Sequence, residues 1–258
     1  MGLTIHYDLS CRTRSIKKVR ELISCLRSYA MDLPFKEVGE LIELRGEKCD
    51  FKEANRDDSN RWFLIQASEF VNRPSLNGGE CSYNVMPTHI IGFSTYPGEG
   101  SEPANFGLCR YPTQIEVTKP GCSSDRKMTI RTRMPGWSWA SFCKTQYACN
   151  PKCGGVANFL RCHLSVVRLL DKAKSLGILR EVYDEGDFWE HRDVAALAKN
   201  VCEWNEAIAA MVGTMKDQIG GDCDAPITKF PNFEHLEADG CKKTIPLCEM
   251  LKKADKKA

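Results

Sequence analysis

No apolar run in this chain approaches the roughly 18 residues that a bilayer-spanning helix needs. Net charge is nearly absent too: 36 Lys and Arg against 34 Asp and Glu leave +2. The whole molecule therefore offers no electrostatic case for a nucleic acid or an anionic membrane. The opening residues MGLTIHYDLS lack the basic-then-apolar pattern of a secretion leader. Position 6 is His6, where an N-terminal acylation motif requires Ser or Thr. These absences lead to the expectation of a soluble cytoplasmic chain with no membrane partner. Templates for chemistry are missing as well. The chain has no CxxC pair, no GxxxxGK[ST] loop and no GxGxxG fingerprint. That removes the common routes to a knuckle zinc site, a nucleotide triphosphatase and a dinucleotide-binding enzyme. No cofactor is assigned, and no pattern specifies an oligomeric state.

Cysteine is abundant instead, with 14 residues. An even, high count invites a disulfide framework, but the cysteines are scattered through a chain too long to depend on stapling. Several, such as Cys25 and Cys202, fall inside helical patterns where a small apolar side chain belongs. The expectation is reduced, structural thiols.

Periodicity gives the architecture. Leu3, Ile5, Tyr7 and Leu9 alternate with polar residues, the pattern of a half-buried strand. Ser15 to Met31 carries Ile16, Val19, Leu22, Ile23, Leu26 and Ala30 at helical spacing, stopped by Pro34. Glu37 to Leu44 is extended, Asp50 to Asn60 is a polar connection, and the apolar run Trp62 to Ala67 suits a buried strand. Short extended segments follow at Ser82–Val85, His89–Tyr96, Gly107–Tyr111, Gln114–Thr118, Lys127–Met134 and Trp139–Lys144. Turn-formers (Asn77-Gly78-Gly79, Pro97-Gly98, Pro120-Gly121) separate them, so antiparallel pairing is expected. The last third is helical. One helix runs through Val156 to Ala173 and ends at Gly177, a short strand covers Ile178 to Tyr183, and a long helix capped by Asp193 closes at Gly220-Gly221. The chain after Pro226 reads as irregular. The fold class is α+β: an N-terminal strand–helix–strand unit, a largely antiparallel or mixed central sheet, and C-terminal helices on one face. Residues 1–248 read as one domain and 249–258 as a disordered basic tail.

Four segments carry the residue types that chemistry requires. Between Trp137 and His163 lie Cys143, Cys149, Cys153 and Cys162, whose x5, x3 and x8 spacings fit no paired-ligand zinc site. Cys143 is a candidate nucleophile, but adjacent Lys144 points to the opposite face of a strand. His163 falls in an apolar helical stripe, where a hydrogen-bonded core histidine is the ordinary occupant. The glycine-rich loop at 97–107 contributes Glu102 and Asn105. The cluster at 184–193 packs carboxylates, His191 and Arg192 around Phe188 and Trp189. The basic strand with Arg126, Lys127, Arg131 and Arg133 fits the charged face of an edge strand better than a nucleic-acid footprint.

Two readings from different classes follow. In the first, the chain is an enzyme or binder of a small molecule. Its polar pocket is formed by the 97–107 loop, the 143–147 strand end and the 184–193 loop. Lys144, Glu185 and Glu102 are its candidate catalytic residues, and Asn105, Gln146 and Arg192 its candidate binding residues. In the second, it is a non-enzymatic protein-interaction module presenting Trp137, Trp139 and Trp189. A structural zinc protein built on the four clustered cysteines is a further alternative.

Overall fold

The structure, a computed structural model, describes residues 3–52, 61–74, 80–118, 127–219 and 224–243. The expected basic tail, the turns at 77–79 and 120–121, the Gly220-Gly221 stop and Arg126 lie outside these residues. The elements in chain order are β1 (Thr4–Cys11), α1 (Ile16–Met31), β2 (Glu37–Val38), β3 (Ile42–Arg45), α2 (Arg61–Gln66), β4 (Glu69–Pro74), β5 (Glu80–Val85), β6 (His89–Tyr96), β7 (Ala104–Arg110), β8 (Gln114–Thr118), β9 (Lys127–Arg131), β10 (Trp137–Lys144), α3 (Gly155–Ser175), β11 (Leu179–Asp184), α4 (Phe188–His191) and α5 (Val194–Ile219). A further helix covers 233–243.

Seven strands form the central sheet in the order β11–β1–β10–β7–β6, with β2 and β3 both against β6. Every pairing is antiparallel. The α+β class, the N-terminal strand–helix–strand unit and the C-terminal helices therefore stand. The strands flanking α1 are not neighbours, because β10, β7 and β6 lie between them. Helices α1 and α3 pack together, α1 against β6 and β7 and α3 against β11, and α5 packs on α3. Caps agree with the sequence: Asp193 Oδ1 accepts from the amides of Ala195 and Ala196 at 2.9 and 3.0 Å. Gly177 takes a left-handed φ of 69° just past α3.

Two segments depart from expectation. The run Trp62 to Ala67 is the helix α2, not a strand. Its apolar residues bury at Phe63, Leu64 and Ala67, a helical spacing, while Trp62 stays 49% exposed. A short apolar run fits either element, and only packing against β6 decides it. The chain after Pro226 is ordered as well: a 3₁₀ turn at Pro226–Lys229 leads into the 233–243 helix. Ile208, Ala209 and Val212 of α5 there form a small second core with Ile227 and Phe230, and Phe233 and Leu236 pack against it.

Between β7 and β10 the ladder registers at the single pair Ser138–Cys109. Side chains bridge the rest. Tyr7 Oη and Trp139 Nε1 both donate to the Asn105 carbonyl, at 2.7 and 2.9 Å. Gln66 of α2 joins the two strands from outside, since its Oε1 accepts from Asn105 Nδ2 at 2.6 Å and Ser141 Oγ at 3.1 Å. The hairpin β4–β5, entered directly from α2, follows on the same side.

Candidate functional site

The register of β11, β1 and β10 writes the floor of a groove. His6 stands opposite both Phe142 and Tyr183, and Asp8 opposite both Ala140 and Glu181. One row across the outer face is therefore aromatic, with ring centroids 5.9 Å (His6–Phe142) and 6.0 Å (His6–Tyr183) apart. The next row runs from two neighbouring carboxylates, Glu181 and Asp8, to the methyl group of Ala140. Ala140 is the smallest side chain on that floor, and the space above it stays open. A β-bulge between Asp8 and Leu9 shifts the β1–β11 register there, a device that re-aims a side chain.

Helix α2 and strand β4 wall this floor. On one side of Ala140 a cavity of about 320 Å³ is lined by Phe51, Trp62, Ile65, Gln66, Ser68, Phe70, Asn84, Ser141 and Phe142. On the other, a cavity of about 230 Å³ is lined by Asp8, Glu69, Met134, Ser138 and Arg180. Ala140 lines both. The first is largely apolar and aromatic, with Phe70 61% exposed at its rim. Its polar groups are few. Asn84 Oδ1 is buried without a hydrogen-bond partner among the described residues. Gln66 spends its carbonyl on Asn105 and Ser141, which leaves its amide N–H groups as the free end.

The second cavity is acidic. Burial raises the pKa of Glu69, and the charge of Asp8 adds to that. Burial also raises Asp8, outweighing the opposing pull of Arg180, while Glu181 pushes it further up. Carboxyls raised by burial and by each other inside a cleft are a recognised mark of functional sites. Among the described residues the Asp8 carboxylate makes no side-chain hydrogen bond. Compared with known proteins, the chain matches no family model, no curated protein and no solved structure. The site is therefore read from its own geometry.

The residues singled out from sequence fall in several places. Glu102, Lys144 and Glu185 all lie at one end of the sheet. The Glu102 amide donates to the Lys144 carbonyl at 2.9 Å, and the Lys144 amide donates to Glu102 Oε2 at 3.2 Å. Lys144 is in register with Thr4, whose amide donates to Glu185 Oε2 at 2.8 Å. Successive steps along this line are one strand spacing, about 4.8 Å. Lys144 Nζ sits 4.6 Å over the Tyr147 ring. Gln146 is wholly buried. Its Oε1 accepts from the Leu3 amide at 3.2 Å and its Nε2 donates to Asn205 Oδ1 at 2.9 Å. Asn105, at the start of β7 directly after the glycine-rich loop, turns its side chain to Gln66 and lines neither cavity. Arg192 pairs with both oxygens of Asp171 at 2.8 Å and stacks 4.5 Å over Trp189.

The glycine-rich loop is bound to α3. Arg161 Nη1 donates to the carbonyls of Pro34 and Pro97 at 2.6 and 2.9 Å, and Asn158 Nδ2 donates to that of Glu99 at 2.9 Å. A Cβ at Gly100 would come 2.4 Å from the Tyr147 carbonyl, so glycine here serves close packing. The four clustered cysteines divide between β10, two 3₁₀ turns and α3. Among the described residues no three His, Cys, Asp or Glu side chains converge to hold a metal. Trp137 and Trp139 are 2% and 1% exposed, which corrects their placement on an interaction surface.

His163 is the core residue its position suggested. Its Nδ1 is 2.9 Å from Thr145 Oγ1 and its Nε2 is 3.1 Å from Asp184 Oδ2. All three side chains are buried. The arrangement has the order of a hydrolytic triad, but no substrate reaches it, so it ties β10, α3 and β11 together.

Sequence reasoning missed Asp8, Gln66, Glu69, Asn84, Ala140 and Arg180. They come from β1, α2, β4, β5, β10 and β11, and only the register of the sheet assembles them. The one local signal was Asp8 on the polar side of an alternating strand.

Proposed function

We propose that this chain binds a small organic molecule in the groove across the outer face of β10. The observation that carries the reading is the cavity of about 320 Å³ beside Ala140. Its size, its aromatic walls and its few convergent polar groups match those of ligand pockets. The location expected from sequence was the sheet end with Glu102, Lys144 and Glu185. Glu102 and Lys144 are tied to one another's backbone and Glu185 to that of Thr4, whereas Asn84 Oδ1 and the Gln66 amide face unfilled demand. The compartment proposed is the cytoplasm, which the many free thiols among the described residues support.

The test uses benzamide, a neutral aromatic that donates N–H bonds. It should quench part of the tryptophan emission saturably, and Trp62→Phe should abolish that part, since Trp62 is the tryptophan that lines the cavity. Ala140→Leu adds bulk at a position outside the core. It should weaken benzamide by about tenfold or more, the scale on which a pocket rejects surplus methylenes, with the thermal midpoint unchanged. Unaltered affinity in Ala140→Leu would move the ligand elsewhere and end the proposal. The exposed Trp62 and Phe70 also favour a second reading, docking of a protein partner on the same face. Saturable small-molecule binding that Ala140→Leu blocks decides between the two.

A further inference from the structure

We infer that the groove selects an aromatic cation, an arylalkyl ammonium, with its ring among Trp62, Phe70 and Phe142 and its ammonium beside Asp8 and Glu69. The inference rests on the groove being the binding site and adds the class of its ligand.

Three observations carry it. Both compartments are lined by Ala140, so one molecule passes from the aromatic side to the acidic side over a methyl group. Asp8 is opposite Ala140 and therefore diagonal to Phe142. Diagonal neighbours on a sheet face stand about 7–8 Å apart, which is the reach of a ring joined to a charged nitrogen by a short alkyl chain. The ring compartment is walled by faces of the right kind, with Phe142, Phe51 and Phe70 beside the exposed indole of Trp62. A cation near such rings gains further attraction from their quadrupoles.

The charge balance sets the sign. Asp8 and Glu69 line the acidic side, where Arg180 brings the one guanidinium among the described lining residues. An anionic group would meet two carboxylates there. A hydroxyl would leave them uncompensated. Both lining carboxyls are already held above their ordinary range by burial, the condition an incoming ammonium relieves. Asn84 Oδ1, in the ring compartment, adds a buried acceptor with no donor among the described residues, which an indole or amine N–H can fill.

The experiment compares three molecules of matched shape on the full chain by calorimetry: tryptamine, tryptophol and indole-3-acetate. Tryptamine should bind about tenfold or more tighter than tryptophol, and indole-3-acetate weakest. Asp8→Asn combined with Glu69→Gln should bring tryptamine down to the tryptophol value. Tryptophol affinity should stay constant, which also shows that the variant is folded. Ala140→Leu should weaken all three. A tryptamine preference that survives the double substitution, or indole-3-acetate binding as well as tryptamine, overturns the inference. So does failure of all three to bind. In those cases the groove itself is judged separately by benzamide and Ala140→Leu. If Ala140→Leu changes none of the affinities, both readings fall together.

Discussion

Asp184 shows how a buried charge is kept. Burial pushes its pKa up, but the His163 imidazole and the amides of Gly186 and Trp189, at 2.9 and 3.0 Å, together bring it below the ordinary 3.8. The amides hold the turn between β11 and α4, and the imidazole holds α3. Removing one partner of such a buried pair leaves the rest unsatisfied and costs about 3–5 kcal/mol. Asp184→Ala should lose that much in urea unfolding. The pH dependence has a definite sign. A carboxyl whose folded pKa lies below its unfolded value contributes stability above the unfolded value and loses it as pH falls through the folded one. Wild-type stability should therefore drop as pH falls below the ordinary carboxyl value of 3.8, with a component that Asp184→Asn lacks. Equal slopes in the two proteins would show that the fold does not lower the pKa of Asp184. The role of His163 as a hydrogen-bonded core residue was legible from its apolar stripe. Its partners Thr145 and Asp184 were not, since they lie 18 and 21 residues away along the chain.

At the scale of elements, periodicity identified whatever had enough turns or alternations to show one. Helices α1, α3 and α5 and strands β1, β6 and β10 repeat their pattern several times, so the core face stands out of the composition. Helix α2 has six residues, too few to separate a helical from an extended run. The 233–243 helix buries little and was read as irregular for that reason. What seats α2 against the sheet is Gly92. Its absent side chain lets Phe63 lie against β6, for a Cβ there would meet Phe63 Cζ at 2.7 Å and the Phe106 carbonyl at 2.8 Å. Phe63 in turn packs 5.0 Å from Trp139. Gly92→Ala should therefore destabilise the protein by about 1–3 kcal/mol through overpacking. Because α2 carries Trp62 and Gln66, the same change should weaken benzamide binding. A Gly92→Ala protein with unchanged denaturation midpoint and unchanged affinity would show that the groove wall does not depend on this contact.

Over the whole molecule, the class of fold was legible and the site was not, and the two facts have one cause. Antiparallel α+β architecture follows from local signals, namely short strands, turn-formers and late helices. The groove follows from register: Asp8, Glu69, Ala140 and Arg180 come from four strands, and nothing local says that Ala140 will stand beside Asp8. The cysteines illustrate the same division. Their scatter through strands, turns and helices is what packing thiols would show, and five of the eleven described are buried in the core. Burial pushes Cys49 and Cys149 up to about 11 and raises Cys109, Cys143 and Cys162 as well. At neutral pH a thiol at 11 is ionised to roughly one part in ten thousand, and it is also shielded from reagents. Cys25 is exposed on α1 and open to reagents. Iodoacetamide on the native protein, followed by peptide mass mapping, should therefore label Cys25 first. Cys202 is exposed but raised by burial of its thiol and by Glu206 and Glu203, and it should follow. Cys49, Cys109, Cys143, Cys149 and Cys162 should label together, at the rate of global unfolding, because they belong to one contiguous core. Labelling of Cys143 or Cys162 ahead of Cys109 would mean that the end of the sheet near Glu102 opens by itself. The hydrogen bonds joining Glu102, Lys144, Thr4 and Glu185 would then be a gate rather than a seam.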